Sequence, residues 1–268
     1  MNGAADWLLR ARAAADQPPA QPREPLHLDV EGHPVHVGSI EPATAERMAA
    51  ADLPLRRMHT CPGWRIAAPV GPSLAAIAVW LRDAGLAGRW RDERLAVVDG
   101  DGRALAEVER SVVRVLGLST FAVHLVGYAS DGARIWVQQR AFDKATDPGR
   151  WDTLMGGQMA LGESIEATLE RETEEEAGLV LADLADLRRG PDVTVRRAVP
   201  EGWMDERIAV FRAVLRDDVV PTNRDGEVVR FDCLDEPALR ARLAGGAFTL
   251  EATLILGAEL EPRGRAGR

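Results

Sequence analysis

The chain has 268 residues, 46% hydrophobic and 28% charged, which is enough apolar material for a real core and, by length, suggests two domains. A formal net charge of -9 repels polyphosphate backbones at long range, so neither nucleic acid nor an anionic membrane is expected as a partner, and a small anionic substrate needs local cations. Cys61 and Cys233 match no metal or redox spacing, the first residues show no signal-peptide core, and no apolar run reaches membrane-spanning length, so a soluble cytoplasmic protein with reduced thiols is expected.

In chain order, a helix over 4–15 places Trp7, Leu8 and Leu9 on its apolar side and is stopped by the Pro- and Gln-rich stretch 17–25. Segments 26–30 and 35–37 flank the turn-like Glu31-Gly32-His33-Pro34 and read as a hairpin. Pro42 sits in the first turn of a helix running through Ala51. A second helix is expected over 74–87, with Ser73 as N-cap and Trp80 and Leu81 inward. Segments 94–98 and 105–108 flank Asp99-Gly100-Asp101-Gly102, a strong hairpin signal. These pieces form a small N-terminal α+β domain over residues 1–118.

The second domain, 119–268, begins with strands 120–128 and 133–139 paired across Ser130-Asp131-Gly132. A turn-rich loop, 144–151, leads through 152–155 to Gly156-Gly157. The clearest helix of the chain covers 164–177 and ends at Gly178, a helix-stopping residue. Strands at 193–198, 207–215 and 227–233 follow, then helices at 237–244 and 249–260. This order suggests a mixed sheet covered by helices on both sides, within an α+β fold class.

One segment concentrates the chemistry. Gly157 is followed by Glu163, and Arg171-Glu172 by Glu175-Glu176, Gly178 and Leu179. Glu172, Glu175 and Glu176 stand at i, i+3 and i+4 and share one helix face. Three carboxylates on one face repel unless a cation sits among them, and hard Mg²⁺ or Mn²⁺, which also bridge diphosphate oxygens, suit oxygen donors. Arg171, about a hundred degrees round the helix from Glu172, can reach back to Glu163 and pin the preceding loop.

This segment resembles the Nudix box, with every signature residue present and one departure, Thr173 in place of an aliphatic residue. The resemblance implies an α/β/α sandwich with a mixed sheet, and metal ligands at Glu172, Glu175, Glu176 and the carbonyl of Gly156. A longer resemblance runs from Gly117-Leu-Ser-Thr-Phe121 through Arg140-Ala-Phe-Asp-Lys144 and Pro148-Gly149-Arg-Trp-Asp152 to Asp225-Gly226-Glu227-Val228 and Phe248-Thr249. It is similar to two-part Nudix proteins related to the fungal thiamine pyrophosphokinase fusions, which carry a small N-terminal domain before the Nudix fold. The implied substrate is a thiamin diphosphate-like compound, oxidised forms included, cut to the monophosphate.

The expected chemistry is metal-assisted attack of water on phosphorus. Glu172 and Glu206 are the two candidates for general base; Glu206 matches a glutamate of the thiamin-linked relatives. Arg140 and Lys144 are candidate phosphate ligands, and Trp151 is a candidate stacking platform, weighed against a place in the core. His124 is read as a core histidine, and Glu227 as a further carboxylate near the metals. Three alternatives stay open: a nucleoside-diphosphate-linked substrate of the ADP-ribose type, an isopentenyl-type diphosphate isomerase, and a non-catalytic sensor. The resemblance gives the isomerase a pocket cysteine, and neither cysteine falls at a matching place. Oligomeric state is left open, a homodimer included.

Overall fold

Apolar residues decide the placement of the first helix, α1 (Gly3–Ala15), in the computed structural model, which describes residues 3–59, 61–100, 102–144 and 146–261. Trp7, Leu8, Ala11 and Ala15 are buried, whereas Leu9, expected on the same side, is 59% exposed.

Strand β1 (Glu24–Val30) pairs antiparallel with β2 (His33–Ile40), as the hairpin reading requires. Helix α2 (Pro42–Ala50) follows, then two short strands the sequence reading missed, β3 (Leu55–Arg57) and β4 (Trp64–Ile66). The latter lies parallel to β1, giving a four-stranded sheet of order β2-β1-β4-β3. Helix α3 (Val70–Asp83) starts earlier than expected, after Pro69, so Ser73 is inside its first turn and donates to Ala67 O rather than capping. Leu74, Ile77 and Leu81 recur at helical spacing and are fully buried against Leu26, Leu28 and Ile66 of the sheet. Strands β5 (Arg94–Val98) and β6 (Ala104–Glu109) form the second hairpin; Asp101 of its turn lies outside the described residues.

The larger sheet contains β7 (Ser119–Tyr128), β8 (Ile135–Arg140), β9 (Trp151–Asp152) and β10 (Met155–Gln158). Beyond helix α4 (Ile165–Ala177) it continues with β11 (Leu184–Arg189), β12 (Val193–Val199), β13 (Gly202–Leu215) and β14 (Val228–Leu234). Its order is β11-β13-β7-β8-β14, with β13 and β7 parallel and the other ladders antiparallel. Alternation along β7 sends Val123 and Leu125 toward Leu169 and Ala177 of α4, and Ala122 and Val126 toward the opposite face. That face is covered by α1, α5 (Glu236–Ala244) and α6 (Leu250–Leu260), completing an α/β/α sandwich.

Although first in sequence, α1 belongs to this second core; the division near residue 118 is kept as a proposal for the remaining elements. Strands β7 and β8 pair only at Gly127–Trp136 and Tyr128–Ile135 and then diverge, with β10 continuing on β7 and β9 on β8. The carboxylate helix meets the sheet at this split. Among the described residues no helix is long and apolar enough to cross a membrane.

Candidate active site

Local chemistry fixes both ends of α4. Ser164 accepts a hydrogen bond from Ala167 N, and Gly178 closes the helix at φ 65°. A side chain at Gly178 would also collide with Thr222, whose carbonyl lies 2.5 Å from where a Cβ would stand. At the other end, a Cβ on Gly157 would lie 1.9 Å from Glu172 Cδ, so this glycine lets the carboxylate rest on the backbone of β10.

Arg171 organises the cluster. It reaches back to Glu163, donating Nε to Oε1 at 2.6 Å and Nη2 to Oε2 at 2.9 Å, as the spacing suggested. The same guanidinium donates to Glu172 at 2.7 Å, Glu175 at 3.0 Å and the carbonyl of Gln158 at 3.2 Å. Hydrogen bonding to Arg171 is the main reason the Glu163 carboxyl is held down to about 2.

Glu176 faces a different environment. It is 2% exposed and accepts from Gly156 N at 3.0 Å and Gln138 Nε2 at 2.8 Å, at the strand split. Burial pushes its carboxyl up to about 8, and burial also raises Glu172 against the pull of Arg171. Among the described residues no three acidic, histidine or cysteine side chains gather closely enough to hold an ion. Glu172 and Glu175 turn to Arg171, whereas Glu176 turns to Gly156 and Gln138. The donor set still fits a hard cation. It offers only oxygens, the absence of a side chain at Gly157 admits the Glu172 carboxylate, and the buried Oε1 of Gln138 has no partner.

The other candidates divide. Arg140 donates to Asp152 at 3.4 Å and to Thr146 O at 3.2 Å, while its buried Nε has no partner. Lys144 is ion-paired with Glu227, whose charge acts on Glu172, so both lie beside the carboxylate helix. Trp151 is not available for stacking: it is 6% exposed in the α6 core, and the guanidinium of Arg242 lies 4.0 Å from its ring centroid. His124 is buried and bonded to Thr153 Oγ1 at 2.9 Å; burial lowers its pKa despite Asp152, as suits a core histidine.

Glu206 is buried and accepts from Thr120 Oγ1 and Gln158 Nε2, each at 2.8 Å, and from Arg114 at 3.2 Å. Burial alone would push its carboxyl up, but the Arg114 charge and the other donors outweigh that and hold it below its usual value. Arg114, Gln138 and Gln158 were missed by sequence reasoning; none carries a local signal.

The NUDIX domain family model matches residues 119–251. Nudix hydrolase 24 of Arabidopsis thaliana, a chloroplastic protein, is 36% identical over 48% of this chain and 36% of its own length. The chain thus spans little more than a third of that relative. An isopentenyl-diphosphate Delta-isomerase of Frankia alni is 32% identical over 56% of this chain and 75% of its own length. Among solved structures, DR0079 from Deinococcus radiodurans superposes with a TM-score of 0.51 at 20% identity, covering 63% of this chain and all of that one, a likeness of fold. The domain model thus spans the carboxylate helix and its sheet, and residues 119–251 of the chain form a NUDIX domain.

Proposed function

We propose that the protein hydrolyses a phosphoanhydride in a small-molecule diphosphate with the help of Mg²⁺ or Mn²⁺. One observation carries the reading: Glu176 is buried at the strand split on Gly156 N and Gln138, on the same helix that presents Glu172 and Glu175. Glu172, Glu175, Glu176 and the carbonyl of Gly156 would hold the metal. When bound, such an ion neutralises diphosphate charge and lowers the pKa of a water.

The chain's own residues set the stage. Arg171 fixes the loop through Glu163 and orients Glu172 and Glu175, and Gln138 aims Glu176. Arg140 and Lys144 supply positive charge beside them for phosphate oxygens. The preferred substrate is thiamin diphosphate-like, supported by the run from Arg140 to Asp152 and by Asp225 to Val228. The two unpaired cysteines support a cytoplasmic setting.

A second reading, isopentenyl-type isomerisation, is favoured by the Frankia relative's name. It is opposed by the cysteines: Cys61 is exposed in the N-terminal unit, and Cys233 pairs with Trp136, near the Asp131–Arg134 turn. A panel of thiamin diphosphate and its oxidised forms, ADP-ribose and isopentenyl diphosphate, with Mg²⁺ or Mn²⁺, separates these readings. Monophosphate release from the thiamin compounds is expected. Deuterium uptake into isopentenyl diphosphate without phosphate release would support the isomerase instead. Binding without turnover across the panel would indicate a sensor.

A further inference from the structure

We propose that Arg114, from the N-terminal unit, is a positioning residue for the carboxylate site, acting through Glu206 and Gln158; the kinetic part of this inference rests on the hydrolase reading. Arg114 lies just beyond a short 3₁₀ turn (Arg110–Val112) and its capping residue Val113, and its neighbours Val112, Val113 and Leu116 are buried in the N-terminal core. Its backbone is therefore held by that unit, and its carbonyl accepts from Trp203 N at 2.8 Å at the start of β13.

The side chain crosses into the larger sheet, where Nη1 donates to Thr120 Oγ1 at 3.3 Å and Nη2 to Glu206 Oε2 at 3.2 Å. The same Oε2 accepts from Thr120 and from Gln158 Nε2. Gln158 then passes the constraint on: its carbonyl accepts from Arg171 Nη2, and Arg171 holds Glu163, Glu172 and Glu175.

A continuous series of contacts thus runs from the N-terminal core to the box arginine. Three donors on one buried oxygen make Glu206 an anchor rather than a proton acceptor. The N-terminal unit, which carries no motif of its own, gains a role in setting the angle at which the carboxylates are presented.

The test uses the full chain and four variants: Arg114→Met, Arg114→Lys, Glu206→Gln and the double Arg114→Met/Glu206→Gln. Each is characterised by melting, by Mn²⁺ affinity from electron paramagnetic resonance, and by kcat and KM on whichever diphosphate the wild type hydrolyses. Because Arg114→Met strands a buried carboxylate and can unfold, the double variant, which removes that charge, keeps the test decisive.

Loss of about 10- to 100-fold in both Mn²⁺ affinity and kcat is expected for Glu206→Gln and for the double variant, as for residues that orient metal ligands. The double variant should fall within about threefold of Glu206→Gln, since coupled residues are not additive. Arg114→Lys, which keeps the charge, should recover part of the Mn²⁺ affinity that Arg114→Met loses.

The proposal is overturned if folded Arg114→Met, or the double variant, binds Mn²⁺ like the wild type. It is equally overturned if Glu206→Gln abolishes turnover at unchanged Mn²⁺ affinity, the signature of a proton acceptor. A wild type that binds Mn²⁺ but hydrolyses nothing would sink the hydrolase reading and leave the Mn²⁺ measurements to decide this one.

Discussion

Glu176 and Glu206 are the same residue type, each nearly inaccessible to solvent, yet their carboxyls move in opposite directions. Glu176 receives only neutral donors, a backbone amide and the Gln138 amide, and burial drives it up to about 8. Glu206 receives neutral donors as well, but Arg114 adds a formal charge, and its carboxyl stays below its usual value. A buried carboxylate without a countercharge is a place for a cation, whereas one with a countercharge is a structural anchor.

The sharpest way to break this comparison is to neutralise each glutamate in turn. Glu176→Gln should reduce turnover on the order of a thousandfold, because it removes a ligand for an ion that contributes several kcal/mol to the transition state. Steady-state kinetics beside a melting curve should show that loss without loss of fold. Glu206→Gln should cost distinctly less activity, and equal losses at the two positions would erase the distinction.

Stability should reverse the ranking. Removing the cation with Arg114→Met leaves Glu206 charged and unpaired, a change expected to destabilise the fold by about 3–5 kcal/mol in urea titration. Glu206→Gln removes the charge itself and should be milder. Glu176→Gln should not destabilise the metal-free protein.

The pH dependence sharpens the contrast further. With its carboxyl raised to about 8 from an ordinary 4.5, folded Glu176 keeps a proton that the unfolded chain gives up. Its contribution is complete below about pH 4.5 and is lost as pH rises toward 8. Glu206, shifted the other way, contributes above its unfolded value and loses that contribution as pH falls through its folded one. In chelator-treated protein, Glu176→Gln should flatten the decline in melting temperature on the alkaline side, and Glu206→Gln the decline on the acid side. An unchanged alkaline limb in Glu176→Gln would contradict the assignment.

The smallest effect concerns Thr173, which is fully buried with an unpartnered hydroxyl where the family pattern has an aliphatic residue. Thr173→Val, nearly isosteric, should stabilise by about 1 kcal/mol with activity intact. Destabilisation would mean that the hydroxyl has a partner.

How legible these features are in sequence follows from the range of the forces that make them. The carboxylate helix is readable because its cap at Ser164, its stop at Gly178 and its glutamate spacing are all local. The alternation of β7 is likewise carried by periodicity, the covering of the sheet on both sides follows from the order of strands and helices, and the α/β/α sandwich itself was implied by the resemblance. The start of α3 is harder, since Pro72 in its first turn resembles a breaker until Pro69 is seen to precede the helix. Strand β11 is almost wholly exposed at a sheet edge, so LADLRR shows no inward stripe.

The site splits in the same way. Arg171 and Glu163 lie within one loop and helix, and their pairing was expected from spacing. Arg114 meets Glu206 across 92 residues, and Gln158 meets it across 48, which no local pattern encodes. Trp151 was weighed between a stacking platform and the core because residue type alone does not separate the two, and the structure places it in the core with Arg242 and Arg230 over its ring.

The direct test of the metal site is an anomalous difference map from a crystal soaked in Mn²⁺. The account predicts a peak bounded by Glu172, Glu175, Glu176 and the carbonyl of Gly156, with Glu175 drawn from Arg171 toward the ion. A map with no peak there, and with Glu172 and Glu175 still on Arg171 and Glu176 still on Gln138, would contradict it.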